Sequence, residues 1–244
     1  MQGRRARCAF IGVMLALAGI CYSSWVLDYF LHSGLDPMRS FLSELSSAHM
    51  PHRNVYVAGD VLTGIFSILA AGGLLFPPRL VRNKFSVTAA VAVGLFGAST
   101  IADALMPIEC VPGRDAGCPD QSRGLLPQLH HIHALTSSLA VFGIFIAMIA
   151  ASLAAWRARD WQWLRYGGGL VFVIVVLATV WMLGADRLGG DYRLGLAQRI
   201  QVGGMSLWLV FWGVAVASWQ AGGPAPRRDP GASPADEVSD DTSS

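Results

Sequence analysis

Six long runs of apolar residues set the tightest limit on how this chain can fold. Five of them are 18 to 23 residues long without a charge, and the sixth, Val55 to Phe76, carries only Asp60. About 20 helical residues cross the hydrocarbon core of a bilayer, and lipid forces each segment to satisfy its own backbone hydrogen bonds. A soluble core does not need six such runs. The sequence therefore predicts an all-α polytopic integral membrane protein, a six-transmembrane-helix bundle.

The predicted spans divide the chain into one transmembrane domain and a tail. The spans lie at about residues 8–31, 55–76, 85–105, 130–156, 164–185 and 199–221, within a domain over residues 1–221. The basic start resembles a signal peptide, but the first run is too long for a signal core and lacks a small-residue cleavage site, so we predict a retained anchor. Residues 222–244 are rich in Pro, Ala, Asp and Ser, which predicts a disordered cytoplasmic tail.

The basic residues predict the orientation. Most of the 18 Lys and Arg residues lie before the first run, in the connectors 77–84 and 157–165, and in the tail. Cytoplasmic loops carry such an excess, so both termini are predicted to be cytoplasmic, in a multi-pass protein of the cell inner (plasma) membrane. Loops 32–54, 106–129 and 185–198 would then face outward. All six histidines lie on that side: His32, His49, His52, His130, His131 and His133.

Two cysteines share the second outward loop. Cys110 and Cys118 are flanked by Pro and Gly, and an oxidising compartment permits a bridge between them. We therefore predict a Cys110–Cys118 disulfide. A zinc knuckle is less favoured, because the spacing is too long for CxxC and there is no second pair.

The fourth span opens with LHHIHALTSS, which predicts a polar helix face. His130 and His133 are three residues apart and share this face, with Ser137 one turn deeper. Two neutral imidazoles at this spacing can hold a metal such as zinc, with Asp103 at the end of the third span as a third ligand. The alternative, which the pattern favours, is a hydrogen-bonded polar pocket.

The first outward loop contains a second set of candidates. Apolar and polar residues alternate between Pro37 and Pro51, which predicts a short amphipathic helix at the membrane border. Ser43 and Glu44 are candidate catalytic residues on it, although a cap over the bundle is the favoured interpretation. No GxSxG motif supports a serine nucleophile.

Arg199 opens the last apolar run and needs a partner near lipid. Asp60, Asp103 and Asp186 are the carboxylates predicted to supply it, either in a salt bridge or beside an anionic lipid headgroup. We further predict that Asp103, His130 and Arg199 form one coupled cluster at the outer end of the bundle.

These motifs, in this order, resemble the bacterial membrane family known as domain of unknown function 998, over nearly all of residues 8–221. The residues that carry the resemblance are Ser43-Glu44-Leu45, Asp103 with Pro107, His130 or His133, and Gln198-Arg199. It implies a six-helix membrane protein without an established activity. That family is similar to DRAM/Sfk-type membrane proteins, which are linked to lipid organisation. The CREST membrane hydrolases also use Ser, Asp and three His around zinc, but their late HxxxH has no counterpart in the last span here.

The leading functional prediction is a protein that binds or organises a lipid or lipid-linked molecule in an outward pocket. The residues predicted to line the pocket are Asp60, Asp103, His130, His133 and Arg199. One alternative is a metal-dependent lipid hydrolase with His130, His133 and Asp103 as ligands. Another is an isoprenoid cyclase or isomerase that uses Asp103 as a general acid. The predicted partners are membrane lipids; the chain has no nucleic-acid signature, and no paired broken helices of the kind transporters use.

Overall fold

The computed structural model describes residues 2–76, 83–106, 132–158, 161–188 and 192–218. Within them the chain is all-helical, with six long helices that are apolar and long enough to cross a membrane. The predicted fold class is confirmed. The long helices are α1 (Gln2–Tyr22), α2 (Arg53–Leu75), α3 (Lys84–Leu105), α4 (Ile132–Ala158), α5 (Gly168–Leu188) and α6 (Leu194–Ser218).

The helices pack side by side in an order that differs from their order in the chain. α1 packs between α2 and α6, α3 packs between α2 and α4, and α5 packs mainly on α6. The contact between α4 and α5 is far less extensive than these. Fully buried side chains such as Phe96, Ile144 and Trp208 fill the core between the helices.

Glycine sets the closest helix approaches. A Cβ atom at Gly12 would lie 2.5 Å from the carbonyl oxygen of Gly213, and one at Gly213 would lie 2.5 Å from that of Gly12. Gly64 and Gly97 meet in the same way across α2 and α3. Small residues let membrane helices gain close van der Waals contact, and any side chain at these positions would force the helices apart.

The first span consists of three helical pieces, and other short helical turns lie between the long helices. α1 begins at Gln2 and ends at Tyr22, and two short helical turns, Ser24–Leu27 and Asp28–Leu31, follow it. Helical structure thus extends to Leu31, although not as one continuous α-helix. In the first loop, the predicted amphipathic helix is one 3-10 turn, Leu42–Ser46. A π-helical turn, Trp163–Gly167, leads into α5.

The alternating helix directions define two ends of the bundle. The end of α1, the start of α2, the end of α3, and the starts of α4 and α6 lie together, and we call this the His133 end. The opposite ends, with the start of α3, the end of α4 and the π-helical turn, form the Lys84 end. The described residues that were predicted to face outward thus share one end, while the orientation of that end in a membrane stays a prediction.

Candidate functional site

Asp103, near the end of α3, is the centre of a polar cluster between α3 and α4. Its Oδ1 atom accepts hydrogen bonds from the hydroxyls of Thr136 at 2.6 Å and Ser137 at 2.7 Å. The Nδ1 atom of His133 lies 3.1 Å from the same oxygen. The His133 and Asp103 side chains are 19% and 24% exposed, so the pair sits at the border of the bundle within reach of a ligand.

The hydrogen bonds around His133 define its tautomer. Nδ1 also lies 3.0 Å from the backbone carbonyl oxygen of Met106, which can only accept. Nδ1 therefore carries the proton in a neutral ring that makes this bond. The Nε2 atom is then left with a free lone pair, which can accept a proton or bind a metal.

Two further side chains extend the cluster onto α1 and α2. The charge of Asp103 acts on Asp60, and both carboxylates act on Tyr22 at the end of α1. Tyr22 packs edge-on against Phe96, with ring centroids 5.3 Å apart. We call Tyr22, Asp60, Asp103, His133, Thr136 and Ser137 the acidic cluster.

Arg199 belongs to a different group of residues. It is 5% exposed, and its Nη1 atom donates to the carbonyl oxygens of Ser40 at 2.8 Å and Gly195 at 3.1 Å. The negative charges acting on it are those of Asp28, Glu44 and Asp36.

Neighbours of Arg199 on α6 fix the same loop. Gln198 accepts the backbone N–H of Leu42 at 2.6 Å, and the N–H of Leu196 donates to Met38 at 3.2 Å. A Cβ atom at Gly195 would lie 2.5 Å from the Ser40 carbonyl oxygen, so only glycine permits this approach. We call Gly195, Leu196, Gln198 and Arg199, with the loop segment 38–42 that they bind, the loop clamp.

Asp28 fixes the other side of this loop. Its side chain is 9% exposed, and Oδ1 accepts the Ser33 backbone N–H at 3.0 Å and the Tyr56 hydroxyl at 3.2 Å. Tyr56 precedes Asp60 by four residues on α2, so the two face the same side one turn apart. The acidic cluster and the loop clamp are therefore neighbouring but separate.

Glu44 is a titratable side chain of the first loop, and it lies near Arg199 of the loop clamp. Burial raises the pKa of its carboxyl above the ordinary value. Hydrogen bonds from Phe41 and Ser40 act in the opposite direction, as does the positive charge of Arg199, and burial outweighs them. Ser43, the other candidate in the loop, uses its carbonyl oxygen to accept the Ser46 hydroxyl at 2.9 Å.

The structure thus divides the predicted pocket in two. Asp60, Asp103 and His133 lie together, whereas Arg199 binds backbone carbonyls, and the helices carrying Asp103 and Arg199 share at most marginal contact. The expected ion pair between Arg199 and Asp60 or Asp103 is not formed in the described part of the chain. The single coupled cluster is replaced by two because α1 and α2 lie between α3 and α6.

Several predicted residues lie outside the described ranges. These are His130, His131, Cys110, Cys118 and the side chain of Asp186. The predicted disulfide and zinc site therefore stay predictions. Among the described residues, no three metal-binding side chains come together.

Four residues in or beside these clusters escaped the sequence analysis: Tyr22, Asp28, Tyr56 and Thr136. Asp28 had a usable signal, because it is a carboxylate directly at the end of the first apolar run. Thr136 is three residues from His133 and so shares its helix face. No signal in the sequence marks Tyr22 or Tyr56, since their contacts depend on how α1 and α2 pack.

Comparison with protein families gives one match. A family model described as "Protein of unknown function (DUF998)" matches residues 15–215. Comparisons with curated proteins and with solved structures gave no match.

Proposed function

Because the chain belongs to the DUF998 family, whose function is unknown, we propose a function from the geometry of its site. The protein is a multi-pass membrane protein whose acidic cluster binds the polar group of a lipid or lipid-linked molecule. That group carries hydrogen-bond donors, either an amine or several hydroxyls.

The pair of carboxylates carries this proposal. The charge of Asp103 acts on Asp60, and no Lys or Arg of the described residues forms an ion pair with either carboxyl. Charged groups within membrane-spanning segments are costly unless they are paired or functional. An ammonium group in the ligand would compensate negative charge here, and hydroxyls would donate hydrogen bonds to the carboxyl oxygens, whereas a phosphate would add negative charge.

The surroundings of the cluster favour an amphipathic ligand. Leu105 and Met106 lie two and three residues after Asp103 and are 66% and 42% exposed. A ligand with its polar group on Asp103 would place a hydrocarbon chain along these side chains. Apolar walls with a few converging polar groups are typical of small-molecule sites.

Purification of the full chain in mild detergent tests this proposal. Mass spectrometry should find a co-purifying lipid with an amine- or hydroxyl-bearing polar group. Asp103→Asn and Asp60→Asn should each lower its occupancy severalfold, because each removes an acceptor charge. Ser137→Ala should also lower it, whereas the matched control Ser138→Ala should not, since the Ser138 hydroxyl donates to the Ala134 carbonyl of its own helix. Equal lipid occupancy in all four variants would contradict the proposal.

The orientation of His133 supports a second candidate, a metal-dependent membrane lipid hydrolase. With Nδ1 held by Asp103 and Met106, Nε2 of His133 is the atom that would bind zinc. Asp103 would then orient the ring instead of binding the metal, as carboxylates often do for metal-bound histidines. His130 would be a further ligand.

Metal analysis of the purified protein decides on this candidate. Stoichiometric zinc that is lost in His133→Ala but kept in the matched variant His49→Ala would support the hydrolase. Protein purified with zinc in the buffer and found free of metal would exclude it.

A further inference from the structure

A third group of side chains lies at the Lys84 end, away from the acidic cluster and the loop clamp. The guanidinium carbon of Arg165 lies 4.8 Å from the ring centroid of Trp156 and 5.3 Å from that of Tyr166. The two rings are themselves in contact, with centroids 6.3 Å apart. Cation–π contacts of this kind hold a guanidinium in place while leaving its N–H groups free to donate.

The donors of Arg165 are incompletely used. Its Nε atom is buried and has no hydrogen-bond partner among the described residues. A buried donor without an acceptor costs about 1–3 kcal/mol, so such groups in a native structure usually have a partner of some kind. Arg165 lies in the π-helical turn Trp163–Gly167, and single π turns inside helices occur frequently at functional sites.

Two more cations lie beside this group. The guanidinium carbon of Arg157 lies 4.4 Å from the Phe85 ring centroid, and Lys84 Nζ lies 5.5 Å from it. Arg157 follows Trp156 directly at the end of α4, so both groups lie at the same end of this helix. No carboxylate of the described residues pairs with Lys84, Arg157 or Arg165. Three helix ends thus carry three positive charges that have no counter-charge among the described residues.

The aromatic surface around these cations belongs to a membrane interface. Trp156, Trp163 and Tyr166 are 53%, 82% and 64% exposed at the ends of spanning helices. Trp and Tyr are enriched where lipid headgroups meet the hydrocarbon core. A phosphate bound here would therefore be at headgroup depth.

We propose that Lys84, Arg157 and Arg165 form a binding site for the phosphate of an anionic phospholipid. The guanidinium of Arg165, fixed between Trp156 and Tyr166, donates to the phosphate oxygens, and the other two cations supply further charge. The lipid chains run along the exposed rings. Basic pockets between membrane helices commonly bind anionic headgroups on the side that carries the positive charge. This site is independent of the acidic cluster, because α3 separates Lys84 from Asp103 by its full length.

Native mass spectrometry of the full chain in detergent tests this site. Added phosphatidylglycerol should bind saturably and at least tenfold more tightly than phosphatidylcholine. In the double variant Arg157→Gln/Arg165→Gln most of this preference should be lost, since two basic groups near a membrane surface, at about 1 kcal/mol each, correspond to roughly thirtyfold. Arg193→Gln is the matched control at the His133 end and should keep the full preference.

Further arms distinguish a lipid from a free anion. Inorganic phosphate and glycerol phosphate should compete only weakly, because they lack the chains that contact the rings. Arg165→Lys should lose part of the preference, since an ammonium keeps the charge without the planar donors. An equal affinity for phosphatidylglycerol and phosphatidylcholine in the wild-type chain would overturn the proposal without any variant. Competition by inorganic phosphate as strong as that by phosphatidylglycerol would also overturn it.

Discussion

The loop clamp and the acidic cluster lie at the same end of the bundle but satisfy their charges in different ways. In the clamp, Arg199 is almost fully buried and donates to the backbone carbonyls of Ser40 and Gly195. In the acidic cluster, Asp103 accepts from two hydroxyls and a histidine and remains partly exposed. The clamp thus closes on the protein itself, and the cluster is left open to a ligand.

The difference separates a structural role from a functional one. A buried charge that is used on backbone atoms holds a segment in place, and its removal affects mainly stability. A partly exposed carboxylate that has no ion pair with a Lys or Arg of the described residues is available to bind a ligand. The following predictions test whether this division is correct.

The largest effect is expected for Arg199→Met. The change leaves the Ser40 carbonyl oxygen without its donor, and it removes the positive charge that faces Asp28 and Glu44. Loss of a buried charged partner should lower the free energy of unfolding by about 2–4 kcal/mol. Thermal unfolding in detergent measures it, with the exposed Arg193→Met as control. A drop in Tm no larger than that of the control would show that Arg199 does not stabilise the fold through the loop clamp.

A smaller effect is expected for Tyr56→Phe. The variant deprives Asp28 of a hydroxyl donor in a buried position, although the Ser33 backbone N–H remains. The loss should be about 1–1.5 kcal/mol, with lipid occupancy of the acidic cluster unchanged. Tyr192→Phe, at an exposed site, is the control. If Tyr56→Phe lowered lipid binding without loss of stability, the two regions would not be separate.

The pH dependence of Glu44 gives an effect below about 1 kcal/mol, in keeping with its partial exposure. Because burial raises the pKa of Glu44 in the folded chain, the folded state holds this proton more tightly than the unfolded state. Stability should therefore decrease as pH rises above the ordinary glutamate value of about 4.3, up to the raised pKa. Glu44→Gln should flatten this part of the Tm profile. A steeper profile in the variant would contradict the direction of the shift.

The smallest expected quantity is the coupling between the two regions. Asp103→Asn and Arg199→Gln should have additive effects on the free energy of unfolding, within about 0.5 kcal/mol. The full double-mutant cycle, measured by thermal or denaturant unfolding, checks this. A coupling energy above about 1 kcal/mol would join the residues into one cluster after all.

The number and type of the helices could be read from the sequence because apolar run length alone decides them. Which residues come together in each cluster could not be predicted from the sequence. Arg199 was predicted to need a carboxylate, since a side chain near lipid is expensive to leave unpaired, but backbone carbonyls of the loop serve as acceptors here. Run length does not reveal that α1 and α2 separate α3 from α6. Where helix spacing was sufficient, as for His133 with Ser137, the predicted neighbours do share the Asp103 carboxylate.

The position of α1 between α2 and α6 bears on how the protein is made. α1 packs its Gly12 and Gly19 face against α6, where Gly213 and the Ser206 carbonyl lie, although four spanning helices separate the two in the chain. Until α6 has been synthesised and inserted, that face of α1 is covered only by lipid. Assembly of this bundle therefore requires the insertion of α6, and a chain that stops before α6 leaves one face of α1 without its partner helix.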